Sequence, residues 1–268
     1  MNANTPSSKS LSHGHVLRTI AWVVFLEAVR GRLLWLVVAI LVIGLGLAEF
    51  IADVAITGSQ QIVRGLLGSW LRASAVFVSA LFVATSMVRD FNDKGTELIL
   101  ALPIPRAVYL FGRLAGYWYV VLVTAMLCGA LILLYVPFEQ ALIWTLSLLC
   151  ELTLIVALAV LCLLTLNHIT LSMSAVMGFY LLARSMGAIQ LIGQNPLLDL
   201  SSVSQQVITF LLTCLAYILP NLNQFTLSQW LIYESATAGD LIPIVLQSFV
   251  YVLLLCAASL FDLQRKVL

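Results

Sequence analysis

The sequence predicts an all-α polytopic membrane protein with six transmembrane helices, and three observations support this fold class. Of the 268 residues, 62% are hydrophobic and only 9% are charged, whereas an ordinary soluble domain is about 25% charged. The mean hydropathy is +1.07. The apolar residues fall into runs of about 20 residues, roughly 30 Å of helix each, which matches a bilayer core. We therefore predict a single transmembrane domain over residues 16–268.

The N-terminal part of the chain is predicted to lie outside the bilayer. Residues 1–15 are polar and Ser-rich, which is typical of a disordered tail. Residues 16–32 mix apolar side chains with arginines near both ends and are too charged to span. An interfacial elbow helix that lies on the membrane fits this pattern.

Six spans follow from the lengths of the apolar runs, with a short polar connection at 53–70. The predicted spans cover about 33–52, 71–88, 114–134, 141–166, 170–190 and 241–261. Gly112 and Gly116, four residues apart at the start of the third span, predict close packing against another helix, of the same chain or of a second copy. An aromatic cluster near the inner face is predicted from Tyr117, Trp118 and Tyr119, and one near the outer face from Trp144 and Trp230.

Residues 191–240 differ from the spans because they are rich in Asn, Gln, Ser and Pro. Their longest apolar run, Val207 to Leu219, would form about 20 Å of helix, which is too short to cross. A re-entrant hairpin before the sixth span is predicted, with Phe225 to Tyr233 as its second arm.

The segment 89–113 is the densest cluster of charge in a chain with only 13 Lys+Arg and 12 Asp+Glu. Its charged side chains are Arg89, Asp90, Asp93, Lys94, Glu97, Arg106 and Arg113. Asp93 is suited to cap a short helix, and Pro103 would end it. Two interpretations are open: a solvated loop whose arginines set the topology, or a docking element that passes force into the spans.

The residues of this segment resemble the signature of the type-2 ABC exporter permeases. That signature runs arginine, Gly-Thr-x-Glu/Asp-x-Leu-Leu-x-x-Pro-x-x-Arg and then Gly-Lys. Here the Glu follows Thr96 directly, and Arg113 replaces the lysine. The segments 219–225 and 261–265 are also similar to the branch of this family linked to multi-copper enzyme maturation.

The resemblance implies that the chain is the permease of an exporter in the bacterial inner membrane. It implies a cytoplasmic ATPase dimer that holds ATP and Mg²⁺, and a second copy of the chain or a related permease. The segment would act as the cytoplasmic coupling helix between spans two and three. The residues that would contact the ATPase are Arg89, Asp93, Lys94, Gly95, Thr96, Glu97, Pro103 and Arg106.

The sequence agrees with a separate ATPase, because it contains no Gly-x-x-x-x-Gly-Lys-Ser/Thr loop. We therefore expect no enzymatic activity and no cofactor in this chain. The net charge of +1 argues against nucleic acid as a partner. The cysteines lie in apolar runs without metal-binding spacing, and no metal site is predicted.

Basic residues set the expected orientation, because Lys and Arg accumulate in cytoplasmic loops. They flank the first span, fill the segment 89–113 and follow the sixth span, which places both termini in the cytoplasm and the hairpin outside. Arg64 and Arg72 fall on the opposite side and count against this orientation.

Two charged residues, Glu151 and Arg184, are predicted to lie inside the membrane on neighbouring antiparallel spans. Such residues face protein or a water-filled path, because exposure to lipid is costly. We expect the two side chains to meet. Two roles remain open for this pair. It is either a buried ion pair that fixes helix register or a polar contact that lines a translocation path.

Two other functions are considered. An ion-coupled carrier would also place charged groups within its spans, but no internal repeat is evident. A membrane-embedded transferase would need clustered acid, base or metal groups at one depth. The three histidines and the scattered carboxylates do not supply such a cluster.

Overall fold

The computed structural model describes residues 13–31, 33–54, 59–92, 106–166, 168–194 and 219–265. Over these ranges the chain forms eight α-helices and one 3₁₀ turn, with no strand. The helices are α1 (His13–Arg30), α2 (Leu33–Val54), α3 (Ser59–Asn92), α4 (Arg106–Ile132), α5 (Phe138–Leu166), α6 (Ile169–Gln194), α7 (Ser228–Tyr233) and α8 (Ala238–Arg265), and the 3₁₀ turn is Leu222–Gln224.

Six of these helices are long and apolar enough to cross a membrane, so the all-helical, six-span prediction agrees with the structure at this level. The qualifying stretches are Trp35–Val54, Gln60–Asp90, Ala107–Ile132, Phe138–Leu166, Ile169–Ile189 and Ala238–Arg265. The helix α1 carries too many charged residues to join them. The six stretches alternate in direction along the chain and give the bundle two ends.

The helix α5 forms the centre of the bundle. It contacts α3, α4, α6, α7 and α8, and most of its side chains are buried. A helix that is apolar on all sides is suited to this position, since every face can pack against a neighbour. The helices α2 and α8 leave most of their apolar side chains exposed on the outside of the bundle.

Several helix ends differ from the sequence prediction. The helix α3 begins at Ser59 and takes up most of the predicted connection 53–70; Arg64 near its start is compensated by Glu234, at 2.6 Å. The helix α4 begins at Arg106, ahead of the predicted start of the third span. The helix α1 begins at His13, inside the predicted tail.

Parts of the predicted coupling segment and hairpin lie outside the described residues. The helix α3 continues to Asn92 and α4 starts at Arg106, so Asp93, Lys94, Gly95, Thr96, Glu97 and Pro103 all fall between them. The same holds for residues 1–12 of the tail and for 195–218 of the hairpin, which include nearly all of the apolar run.

The glycine pair at the start of α4 receives the helix α1, as the predicted close packing within one chain requires. A Cβ atom added at Gly112 would lie 3.0 Å from Ile20 Cβ, and one at Gly116 would lie 2.6 Å from Val24 Cβ. The contacts advance by four residues on both helices, so α1 and α4 run in the same direction here.

Replacing Gly116 by alanine is expected to destabilise the protein by about 1 to 3 kcal/mol, because the added methyl group overpacks the contact with Val24 and the Ala21 carbonyl. The matched control is Gly178→Ala on α6, where a Cβ meets no atom within 4 Å. The control should be neutral or stabilising, since alanine favours the helix. Thermal unfolding in detergent measures the stability of both variants. Equal effects of the two substitutions would contradict a tight contact between Gly116 and α1.

Candidate functional site

A polar network lies where α3 ends and α4 begins, and Arg113 is its central residue. Arg113 is only 5% exposed and forms an ion pair with Asp90 of α3. Its Nη1 donates hydrogen bonds to Ser86 Oγ at 3.0 Å and to Tyr117 Oη at 2.9 Å. We call Glu27, Ser86, Arg89, Asp90, Tyr109, Arg113 and Tyr117 the basal network.

Two tyrosines enclose the Arg113 guanidinium. Its central carbon lies 5.8 Å from the ring centroid of Tyr109 and 5.9 Å from that of Tyr117, distances at which a cation is attracted to an aromatic ring. The Tyr109 hydroxyl also donates to Asp90 Oδ2 at 3.2 Å. The guanidinium is therefore held by a carboxylate, a serine hydroxyl and two rings.

The basal network also binds the N-terminal helix. Ser86 Oγ donates to Glu27 Oε2 of α1 at 2.9 Å, and Glu27 Oε1 lies 3.5 Å from Arg89 Nη1. The ends of α3 and α4, from which residues 93–105 depart and to which they return, are thus tied to each other and to α1.

Two predictions about this region require correction. Arg113 was expected at the membrane edge of a solvated segment, but it is buried because Asp90 and Ser86 satisfy it inside the bundle. Tyr117 was expected in a surface belt, and it is fully buried beside Arg113. Arg89 has a side chain that is 60% exposed, and Arg106 is the first residue of α4, with a side chain outside the described set.

A second polar group lies deeper in the bundle, in the half that holds α7. Glu151 of α5 is 0% exposed. Its Oε2 accepts a hydrogen bond from Thr226 Oγ1 at 2.5 Å, and its Oε1 lies 3.8 Å from Arg184 Nη1. The structure therefore brings together the two charged residues expected to meet. We call Arg72, Ser147, Glu151, Arg184 and Thr226 the buried cluster.

The buried cluster forms hydrogen bonds with a turn of the chain that precedes α7. Arg184 Nη1 donates to the Leu222 carbonyl at 2.6 Å and to the Phe225 carbonyl at 2.7 Å. Arg72 Nη1 donates to the Thr226 carbonyl at 3.0 Å. The Thr226 amide donates to Ser147 Oγ at 2.9 Å. Side chains from three helices thus satisfy backbone groups of this turn, which has few hydrogen bonds of its own.

Thr226 itself has a backbone conformation that a β-branched residue rarely adopts, with φ of 44°. Such strain costs on the order of 1 kcal/mol and persists only where the surroundings hold it in place. The bonds to Ser147, Glu151 and Arg72 supply that constraint. The turn is therefore positioned by the bundle rather than by its own propensity.

The segment 219–236 fills a space between the helices, and we call it the wedge. Leu222, Phe225 and Leu231 are fully buried. Gly68 of α3 leaves room for Leu231, and Gly187 of α6 leaves room for Asn223. The predicted second arm is observed as a 3₁₀ turn followed by the short helix α7.

The wedge also explains why the aromatic belt predicted from Trp144 and Trp230 is wrong. Trp144 is 0% exposed and Trp230 is buried, because both lie in the core where the wedge meets the bundle. Both surface and core tryptophans occur near the ends of apolar runs, so sequence position alone does not distinguish them.

Sequence reasoning missed Arg72, Ser147 and Thr226 as members of the buried cluster. Arg72 had a detectable signal, since it is a lone charge within an apolar run, as Arg184 is. Thr226 and Ser147 gave no such signal, because small hydroxyl residues are common in membrane helices and turns.

Among the described residues, no group of three His, Cys, Asp or Glu side chains is placed to hold a metal ion. The cysteines in this part of the chain are unpaired thiols. The charged groups of both clusters contact other protein groups, so their evident role is to hold helices and backbone in position.

Neither a comparison with protein-family models nor one with curated proteins gives a match. Over the residues that the structure describes, the class is that of an all-helical protein with six helices of membrane-spanning length and two internal polar clusters.

Proposed function

We propose that the protein is the membrane-spanning permease subunit of an ATP-binding-cassette exporter. A separate cytoplasmic ATPase would hold ATP and Mg²⁺ and would contact residues 89–106. One observation carries the proposal: the segment with the permease-like signature departs from and returns to the basal network, which is rigidly packed.

This arrangement suits the transmission of force. A push on a segment between two helices moves those helices only if its attachment points do not yield. Ion pairs and hydrogen bonds inside a low-dielectric bundle are stronger than the same contacts in water. Arg113 and Asp90 join α3 to α4 in this way, and Glu27 adds α1 to the same rigid unit.

The helix α3 offers a route from the basal network to the buried cluster. It is continuous and carries Ser86 at one site and Arg72 at the other. The two residues are fourteen positions apart, which corresponds to about 21 Å along the helix axis. A displacement of α3 would therefore act on the Thr226 carbonyl, to which Arg72 donates.

Further parts of the proposal follow from the resemblance and from the charge distribution. The bacterial inner membrane would hold the protein with both termini in the cytoplasm, the first turns of α1 as an elbow at the interface and residues 93–105 as the coupling helix. The wedge would close the path on the outer side as part of a re-entrant hairpin. Two such chains, or this chain and a related permease, would enclose the path.

An ion-coupled carrier is the second candidate, and Glu151 is the observation that favours it. A fully buried carboxylate beside Arg184 is the type of group that such carriers use. The hydrogen bonds that join Arg184 and Glu151 to the wedge favour a structural role over ion transfer. Co-purification with an ATPase separates the two candidates.

Charge reversal at Glu97 tests the coupling segment. We expect recovery of the ATPase with Glu97→Arg to fall by at least about tenfold, because placing like charges together at an interface costs several kcal/mol. The measurement is a pull-down of the detergent-solubilised protein from its native cells, with ATP hydrolysis assayed in the eluate.

Glu139→Arg is the matched control, since Glu139 is exposed on the first turn of α5 at the opposite end of the bundle. It should retain the ATPase at the wild-type level. An ATPase retained equally by Glu97→Arg would move the docking surface elsewhere. Wild-type protein that brings down no nucleotide-hydrolysing subunit would overturn the exporter proposal.

A further inference from the structure

A groove of about 690 Å³ lies between α1 and α4 and has no role in the proposed coupling. On α1 its walls are His15, Arg18, Thr19, Trp22 and Phe25, which follow helical spacing along one face. On α4 its wall includes Leu122. The volume falls within the range of about 300 to 1,000 Å³ that is usual for small-molecule sites.

The basic side chains of the groove lie at one end only, although Tyr119 adds a hydroxyl to the α4 wall. His15, Arg18 and Thr19 lie on the first two turns of α1, whereas Trp22 and Phe25 follow on the later turns. Because α1 and α4 run in the same direction, the apolar end lies beside Leu122, deep along the span Ala107–Ile132. A ligand that fits must have a polar head and an apolar tail.

The polar end is also basic. Arg18 and His15 are exposed, and neither forms an ion pair among the described residues. Arginine is suited to bind a phosphate through two parallel hydrogen bonds. Basic pockets between membrane helices are established sites for anionic lipid headgroups.

We propose that this groove binds one anionic phospholipid of the surrounding bilayer. The headgroup phosphate contacts Arg18 and His15, and one acyl chain lies along Trp22, Phe25 and Leu122. The bound lipid fills the space on the side of α1 next to the contacts at Gly112 and Gly116. It therefore holds α1 against α4, close to the basal network.

A second groove on α4 provides an internal comparison. It measures about 340 Å³ and is lined by apolar side chains that include Phe111, Trp118, Val252 and Cys256. None of the described residues that line it is charged. This groove offers no preference for an anionic headgroup, so the preference must come from Arg18 and His15.

Native mass spectrometry of the full chain tests the proposal. The protein is incubated in detergent with equal amounts of phosphatidylglycerol and phosphatidylcholine of matched chain length. We expect wild-type protein to retain one phosphatidylglycerol per chain in preference to phosphatidylcholine. Arg18→Gln should lower that preference by about fivefold. His15→Gln should lower it as well.

Three further variants define the site. Leu122→Trp fills the apolar end and should reduce retention of both lipids, whereas Cys256→Trp fills the second groove and should change nothing. Arg30→Gln removes an exposed charge of α1 outside the groove and should keep the preference. The Arg18→Gln and His15→Gln variants change only exposed side chains, so they test the site even if Leu122→Trp fails to fold.

Equal retention of the two lipids by wild-type protein would overturn the proposal. So would a preference that survives Arg18→Gln combined with His15→Gln. A dimer without bound phosphatidylglycerol would overturn it too, because this would place a second copy in the groove, whereas a dimer that retains one phosphatidylglycerol per chain would support it. None of these outcomes bears on ATPase binding, so this proposal and the exporter proposal fail separately.

Discussion

Replacing Arg184 by glutamine is expected to lower the free energy of unfolding by about 3 to 5 kcal/mol, the usual cost of leaving a buried charge without its partner. Glu151 is fully buried and would lose the cation 3.8 Å away. The Phe225 carbonyl would lose the Arg184 donor, and the Leu222 carbonyl would keep only its bond from the Phe225 amide. The wedge would then be released from α6. Denaturant titration in detergent measures the change.

The double variant Glu151→Gln/Arg184→Gln is the informative control. If the two charges depend on each other, the double variant should be more stable than the sum of the single effects predicts. A loss below about 1 kcal/mol for Arg184→Gln would match an exposed ion pair and would contradict the structural role assigned to the cluster.

Transport by Arg184→Gln separates the two roles that the sequence left open. If the pair only fixes helix register, transport should fall in proportion to the folded fraction. If Arg184 lines the path, transport should be abolished while assembly with the ATPase is retained. Unchanged transport with unchanged stability would contradict both roles.

Replacing Arg113 by methionine is expected to lower the free energy of unfolding by about 3 kcal/mol, at the lower end of the cost of breaking a buried pair. The lower value follows because Asp90, the partner left behind, is 26% exposed and keeps some access to water. Methionine preserves most of the volume, so the loss reports the ion pair and the hydrogen bonds to Ser86 and Tyr117 rather than a cavity.

The same variant should uncouple ATP hydrolysis from transport, because α3 and α4 would no longer move as one unit. Arg265→Met, an exposed residue in the last turn of α8, is the matched control and should leave stability and coupling unchanged. A variant Arg113→Met that keeps wild-type stability would contradict the basal network. If Arg113→Met loses stability as expected but ATP hydrolysis still drives transport, the basal network stabilises the fold and does not transmit force.

The helices were predictable because their signal is local. Six apolar runs and the charges between them indicate six membrane-length helices without tertiary information, and the glycine pair at Gly112 and Gly116 indicates a close helix contact. Helix ends were less predictable. The extension of α3 to Ser59 places Arg64 in contact with Glu234, a residue 170 positions away in the chain, and no local sequence pattern indicates such a partner.

The membership of the two polar clusters was only partly predictable. Glu151 and Arg184 were detectable because charge within an apolar run is rare. Arg113 was assigned to the solvated segment because its burial depends on Asp90 and Ser86, which lie on another helix. Thr226 was not detectable at all, since its backbone strain and its bond to Glu151 exist only once the wedge is seated.

If this chain works with a separate ATPase, wild-type protein alone is enough to show it. The protein is purified from membranes of its native cells in mild detergent, and the bound subunits are identified by mass spectrometry and assayed for ATP hydrolysis. The account predicts that a soluble subunit with a phosphate-binding loop co-purifies and hydrolyses ATP. A pure preparation without any nucleotide-hydrolysing subunit, in which transport still occurs, would contradict the account and favour the ion-coupled carrier.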